Sequence, residues 1–208
     1  MPSALLFDLD GTLTDTITLY ERAVLQTFQN IGIPMTQEQF ADDYWSARHL
    51  RELLRRYGIP LEREAELRAQ RDEIYTSLLR KEVEWFPGAL DLLTSLRDRG
   101  MPMALVTGSW MTYVDAIDSR LHVKQFFPAI ITADEIHKFM KPHPHGLLLA
   151  ADRLGVDPKE CIYLGDQQFD IDAAHAAGME SWLVRGKWTP GRVTGAKRVL
   201  TSLDEILI

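Results

Sequence analysis

The sequence predicts an α/β protein: a parallel sheet with helices on both faces, interrupted after its first strand by an all-helical insertion. Three observations carry this. The runs Ala4-Leu5-Leu6-Phe7, Met103-Ala104-Leu105-Val106 and Cys161-Ile162-Tyr163-Leu164 have the near-continuous apolar character of strands buried on both faces. Each leads through a turn into helical periodicity, the alternation that builds a parallel sheet. Between about Thr16 and Glu84 the alternation stops and only helical patterns remain.

Taken in order, the first strand ends at Asp8-Leu9-Asp10-Gly11-Thr12. Ile17, Tyr20, Val24, Phe28 and Ile31 then recur at helical spacing until Gly32 stops the helix. Thr36 is an N-cap candidate for a second helix. Ala47, Leu50, Leu53, Leu54 and Tyr57 form the stripe of a third, ended by Gly58, and Leu67, Ile74, Leu78 and Leu79 mark a fourth. Pro87-Gly88 opens the return to the sheet. A helix over Ala89 to Arg99 and a stop at Gly100 precede the second strand, which ends in Thr107-Gly108-Ser109. A helix to about Leu121 and a short strand, Ala129-Ile130-Ile131, follow. Lys141-Pro142 precedes a helix running through Leu154, and the next strand ends in Gly165-Asp166. A helix over Ile171 to Ala177 and a fifth strand, Ser181 to Val184, complete the pattern. The basic segment from Arg185-Gly186-Lys187 to Lys197-Arg198 reads as a surface loop. The expected organisation is a Rossmann-like core of residues 1–15 and 85–208, with a helical domain of residues 16–84 inserted.

Composition narrows the class. A formal net charge of −7 over 208 residues argues against a general nucleic-acid binder. A single cysteine, Cys161, rules out an internal disulfide and suits a reducing, cytoplasmic setting. No apolar run reaches membrane-spanning length, and Met1-Pro2-Ser3 leads into the first strand without a signal-like segment. Neither repeats nor low-complexity tracts are visible.

The chemistry gathers at strand ends. In open α/β sheets ligands bind outside the carboxyl ends of the strands, so Asp8, Asp10, Thr107, Lys141 and Asp166 can meet although they are distant in sequence. Asp8 and Asp10 repel unless a cation or a shared proton relieves them. Hard carboxylate oxygens suit magnesium, while a hydroxyl, an ammonium and backbone amides near Gly108 can hold phosphate oxygens. Read singly, the same residues are ordinary: Thr107 as a helix cap, Lys141 as a solvated charge, Asp166 and Asp170 as loop acids.

The four segments Asp8-Leu-Asp10-Gly-Thr12, Val106-Thr107-Gly108-Ser109, Lys141-Pro142 and Gly165-Asp166-Gln-Gln-Phe-Asp170, in that order, resemble the haloacid-dehalogenase-like hydrolase superfamily. The match runs nearly the whole chain and is nearest to phosphatases with a small helical cap, the phosphoglycolate phosphatase and β-phosphoglucomutase group. The resemblance implies Asp8 as a nucleophile that forms an aspartyl-phosphate, and Asp10 as the acid that protonates the leaving group and later activates water. It implies a magnesium ion held by Asp8, the carbonyl of Asp10 and Asp166. Thr107, Gly108 and Lys141 would grip the phosphoryl group, with Asp170 in support. The inserted helices would form a cap carrying specificity.

Departures refine this. The family's dehalogenases lack the second Asp present here as Asp10, and its phosphonate-cleaving members replace it with a small residue. The β-phosphoglucomutases carry a His where this chain has Tyr20, and many relatives have Ser where it has Gln167. The expected activity is hydrolysis of a small phosphorylated metabolite of the phosphoglycolate or sugar-phosphate class. A phosphomutase is the alternative, and a non-catalytic phosphate-binding protein is an alternative of another kind. No nucleic-acid or membrane partner is expected, and the chain is expected to be a monomer or a weak dimer. Arg48, His49 and Arg51 form a polar cluster near a helix start and are candidates for contact with the leaving group. Their plain reading is a solvated helix face. Trp110, directly after the Thr107 turn, is a further candidate wall for that pocket, while His137, His143 and His145 offer too little convergence for zinc.

Overall fold

The structure, a computed structural model, describes residues 2–46 and 50–206, and Trp45 by its backbone alone. The chain falls into two compact units, Met1–Asp15 with Val83–Ile208, and Thr16–Glu82. Among the described residues the first contains six parallel strands, β1 (Ala4–Phe7), β2 (Met103–Val106), β3 (Ala129–Ile131), β4 (Cys161–Gly165), β5 (Glu180–Val184) and β6 (Arg198–Leu200). Their order across the sheet is β3-β2-β1-β4-β5-β6. The sheet grows from β1 outward to β3 on one side and from β4 outward to β6 on the other. The chain therefore reverses direction across the sheet between β1 and β4, the position at which open α/β sheets bind their ligands.

The register aligns those ends. Phe7 lies beside Leu105 of β2 and Leu164 of β4, so the residues that follow β1, β2 and β4 emerge side by side. The strands are apolar along their length because both faces are covered. Leu6, Ala104, Val106, Ile131 and Tyr163 point into one core, packed against Leu147 and Ala150 of α8 (His145–Leu154) and Ala173 and Ala174 of α9 (Gln168–Ala176). Leu5, Phe7 and Leu105 alternate to the other face, where the ring of Phe7 meets Phe127 at 6.0 Å.

Among the described residues the second unit holds four α-helices, α1 (Thr16–Asn30), α2 (Gln37–Trp45), α3 (Leu50–Arg56) and α4 (Glu64–Glu82), of which α1 and α4 make the main packing. Thr36 caps α2 as its sequence indicates: its hydroxyl accepts the amide of Gln39 at 3.1 Å, and the Gln39 side chain accepts the amide of Thr36 at 2.8 Å. Tyr20 sits edge-on to Phe40 and Tyr75, and Phe28 edge-on to Tyr57. In the first unit, the segments flanking the insertion run together. Phe86 donates its amide to Leu13 at 2.9 Å, Asp15 donates to Glu84 at 3.2 Å, and Thr14 and Trp85 form an antiparallel bridge. The remaining helices are α5 (Ala89–Asp98), α6 (Met111–Leu121) and α7 (Ala133–Ile136).

Two features depart from the sequence reading. The segment read as a surface loop ends in β6, with Arg198, Val199 and Leu200 pairing beside Trp182, Leu183 and Val184. Arg198 and Val199 are exposed on this edge strand, so it carries no buried apolar run to betray it. Within the same segment Trp188 and Thr189 are buried. The four-residue α7 is the other addition, too short for periodicity to register. No helix among the described residues is long and apolar enough to cross a membrane.

Candidate active site

Asp8 is the first residue beyond β1, and its amide donates to Leu164 of β4 at 2.8 Å, which carries the sheet pairing one step past the strand. Its carboxylate turns to Lys141, whose Nζ lies 2.7 Å from Oδ1. The same ammonium lies 2.6 Å from Asp170 Oδ1 and 2.8 Å from the Tyr163 hydroxyl. Lys141 thus stands between two buried carboxylates with a phenol oxygen as its third neighbour. The Tyr163 hydroxyl is also 3.1 Å from the Val106 carbonyl and 3.3 Å from Asp170 Oδ1, so its proton has an acceptor. The ring of Phe169 faces Lys141 Nζ at 5.6 Å.

Asp170 is fully buried and supports the opposite side of the cluster. Its Oδ2 accepts the backbone amides of Asp166 at 3.2 Å and Gln167 at 2.9 Å, fixing the turn between β4 and α9. Two glycines permit this closeness. A Cβ on Gly165 would lie 2.4 Å from carbon atoms of Asp170. One on Gly11 would lie 2.8 Å from Asp166 Oδ2, and Gly11 also holds a left-handed φ of +83°.

One oxygen each of Asp8, Asp166 and Asp170 lies within 4.8 Å of the others. Three buried carboxylates thus converge with a single ammonium among them, and their protonation reflects it. Burial, with a smaller contribution from repulsion by Asp170 and Asp10, pushes the Asp8 carboxyl up to about 7 despite Lys141. Burial and the charges of Asp170 and Asp8 hold Asp166 well above the usual carboxylate range. Burial opposes the charge on Lys141, but Asp170 and Asp8 more than offset it, and the ammonium stays protonated well above its ordinary value. Burial likewise raises the Tyr163 phenol, which therefore remains a neutral hydroxyl. A hard divalent cation is the group this oxygen set and this excess of negative charge would fit.

Asp10 faces another way. Its Oδ2 accepts the hydroxyls of Thr107 at 2.9 Å and Ser109 at 2.8 Å, and Thr107 Oγ1 in turn accepts the amide of Ser109 at 3.0 Å. The Asp8 and Thr107 turns are thereby tied across neighbouring strands. Gly108, between Thr107 and Ser109, has the Met140 methyl 3.1 Å from where a Cβ would stand.

The structure thus brings Asp8, Lys141, Asp166 and Asp170 into one cluster and joins Asp10 to Thr107 beside it. Of the candidates in the helical unit, Arg48 and His49 lie outside the described residues. Arg51 is exposed on α3 and bonds Glu64 at 2.8 Å. Trp110 is exposed and stacks on His137, and no histidine belongs to the metal-capable group found among the described residues. Sequence reasoning missed Tyr163 and Ser109, and marked Gln167 as a departure without assigning it a role. Ser109 was visible in the Thr-Gly-Ser turn as a second hydroxyl at hydrogen-bonding spacing. Tyr163 looked like core, because only the sheet order reveals that its hydroxyl reaches Lys141.

Comparison with known proteins places the chain among relatives of one family. Residues 5–184 match the family described as haloacid dehalogenase-like hydrolase. The chain is 32% identical over 187 residues to fructose-1-phosphate phosphatase YqaB of Escherichia coli strain K12, covering 88% of this chain and 96% of that one. It is 29% identical over 197 residues to phosphoglycolate phosphatase of the same strain, covering 84% and 78%. The crystal structure of CbbY from Rhodobacter sphaeroides in complex with phosphate superposes with a TM-score of 0.83 at 26% identity, over 99% of this chain and 96% of that one.

Proposed function

The chain belongs to the haloacid dehalogenase-like hydrolases, and on that premise we propose that it is a magnesium-dependent phosphatase of small phosphomonoesters, working through an aspartyl-phosphate on Asp8. The observation that carries the reading is the buried Asp8–Lys141 pair at 2.7 Å beside Asp166, a carboxylate held at the strand ends where the sheet order reverses. YqaB and phosphoglycolate phosphatase act on small phosphorylated metabolites by their names, and a point mutant of CbbY was crystallised with xylulose-1,5-bisphosphate. These support a substrate of the phosphoglycolate or sugar-phosphate class.

Asp8, Asp166 and the Asp10 carbonyl are the residues assigned to the cation, with Asp170 behind them. When bound, the cation supplies charge neutralisation between the Asp8 carboxylate and the phosphate oxygens. In the first step an Asp8 oxygen bonds to phosphorus and the ester oxygen leaves, taking a proton from Asp10. In the second, Asp10 takes a proton from water, and the resulting hydroxide displaces the Asp8 carboxylate from phosphorus as phosphate. Lys141 and the amides near Gly108 hold the phosphoryl oxygens, while Asp170 and Tyr163 hold Lys141. A phosphoryl oxygen competes with Asp10 for the Thr107 hydroxyl, so binding of substrate loosens one of the two bonds on Asp10 Oδ2 and readies that carboxyl for proton transfer. Tyr20, where the mutases carry His, has no ring nitrogen and takes a hydrogen bond from Arg71 Nη1 at 3.0 Å, which supports hydrolysis over the mutase alternative.

The test is a panel of phosphorylated metabolites assayed for inorganic phosphate. Turnover is expected with magnesium, to vanish in EDTA, and to return when magnesium is restored. Undiminished turnover in chelator, or isomerised sugar phosphate as the main product, would overturn the proposal.

The raised carboxyls also set a pH dependence. With Asp8 at about 7 and Asp166 also held above the usual carboxylate range, a cation binding below those values must displace protons, so magnesium affinity should rise by at least about tenfold per pH unit below 7. Without metal the sign for stability is the reverse. The folded Asp8 pKa exceeds its ordinary value of 3.8, so this group's stabilisation is full below about 4 and declines as pH rises through about 7. Thermal unfolding in EDTA and in magnesium at pH 5 and pH 8 checks both, and the gap between the two melting curves should widen at pH 8. A gap independent of pH would refute the linkage.

A further inference from the structure

Gln167 directly follows Asp166 and is buried, yet nothing in the chemistry above uses it. Its side-chain amide nitrogen donates to Asp166 Oδ2 and, at 3.0 Å, to the carbonyl of Trp188. Both amide hydrogens are thereby used. The backbone amide of the same residue is held by Asp170 Oδ2 at 2.9 Å, so the residue is fixed at both ends. Trp188 is buried in a turn of its own, closed by the Thr189 hydroxyl accepting the amide of Gly186 at 2.9 Å. The Asp166 carboxylate lies close against Gly11, where an added Cβ would stand 2.8 Å from Oδ2.

We infer that Gln167 is a positioning residue that sets cation selectivity, holding Asp166 Oδ2 away from the metal so that Asp166 offers one oxygen rather than two. The inference rests on the metal site proposed above. Magnesium requires compact octahedral coordination by single oxygens, whereas calcium accepts six to eight oxygens and readily takes both from one carboxylate. A carboxylate with one oxygen tied to a fixed amide suits the first ion and handicaps the second. The donor is neutral, so it restrains the carboxylate without cancelling the charge that attracts the cation. A serine at this position would supply a single hydroxyl donor on a short stem, with nothing to span from Asp166 to the Trp188 carbonyl. Glutamine supplies two donors on one rigid amide plane and links the carboxylate to a buried loop.

The experiment measures magnesium and calcium binding by calorimetry, without substrate, to the full-length protein and to the variants Gln167→Ala and Gln167→Met. Methionine keeps the length and apolar volume of the side chain and removes both donors, so it answers the question if the alanine variant does not fold. In the variants calcium affinity should rise relative to magnesium by about tenfold. A loss of packing alone would weaken both ions together and leave the ratio unchanged. An unchanged ratio in a folded variant overturns the inference while leaving the metal site standing. Wild-type protein that binds neither ion overturns the site and the inference together.

Discussion

Replacing Asp8 with Asn should abolish phosphate release, by about four orders of magnitude or more, in a protein that still folds. The amide is nearly the same size as the carboxylate and can still accept from Lys141, 2.7 Å away, so packing is conserved. What is lost is the negative oxygen that attacks phosphorus, and nothing adjacent can replace it. Asp166 is tied by Gln167, Asp170 by Lys141 and two backbone amides, and Asp10 by two hydroxyls. Removal of a nucleophile from a cooperating set costs nearly the whole catalytic gain that the set provides. Circular dichroism and thermal unfolding establish that the variant is folded, and single-turnover phosphate release measures the loss. Activity within tenfold of wild type would remove Asp8 from the role of nucleophile.

Lys141→Met should be costly in both stability and activity. The ammonium is buried between Asp8 and Asp170, and its removal leaves those two carboxylates without their shared counter-charge. Breaking a buried ion pair from one side typically costs about 3–5 kcal/mol. The Tyr163 hydroxyl loses a donor as well. Urea unfolding in the absence of metal should show a loss of this size, and magnesium should recover part of it by supplying positive charge to the same carboxylates. Phosphate release should fall at least a hundredfold even where the variant is folded. A destabilisation below about 1 kcal/mol in chelator would mean that the carboxylates are protonated enough to tolerate each other without Lys141.

The two variants probe what was legible in the sequence to different degrees. Asp8 was legible because a strand buried on both faces is an unbroken apolar run, and an acid pair ending such a run stands out. The same holds for Thr107 and Asp166 at the ends of β2 and β4. The partners of Lys141 were less so. Its spacing from Asp8 and Asp170 in sequence says nothing about contact, and Tyr163 is one residue within a buried strand whose other residues are plain core. β6 escaped because three residues on an exposed edge carry no alternation worth the name. The direction faced by Asp10 was out of reach too, since only two positions separate the Asp8 carboxylate, aimed at Lys141, from the Asp10 carboxylate, aimed at the Thr107 turn. Gln167 was recognised as a departure from its relatives, but its meaning required the Trp188 carbonyl, 21 positions along the chain, to be seen beside it.

The paired segments at Leu13–Asp15 and Glu84–Phe86 bear on how the sheet is assembled. β1 must find β2 across a long stretch of chain before its central pairing exists. Most of that stretch is the helical unit, whose contacts are largely between near neighbours and between α1 and α4. In that unit Arg22, in the second turn of α1, meets Glu82 at the end of α4 at 2.6 Å, so its own folding brings its two ends together. Once formed, it behaves as a clasp rather than as slack. The loop that β1 and β2 must close shortens to about a third of its residue count, an entropic saving of about 1 kcal/mol. A long insertion after the first strand is therefore a small kinetic burden, because its own local helical contacts shorten the detour that it creates.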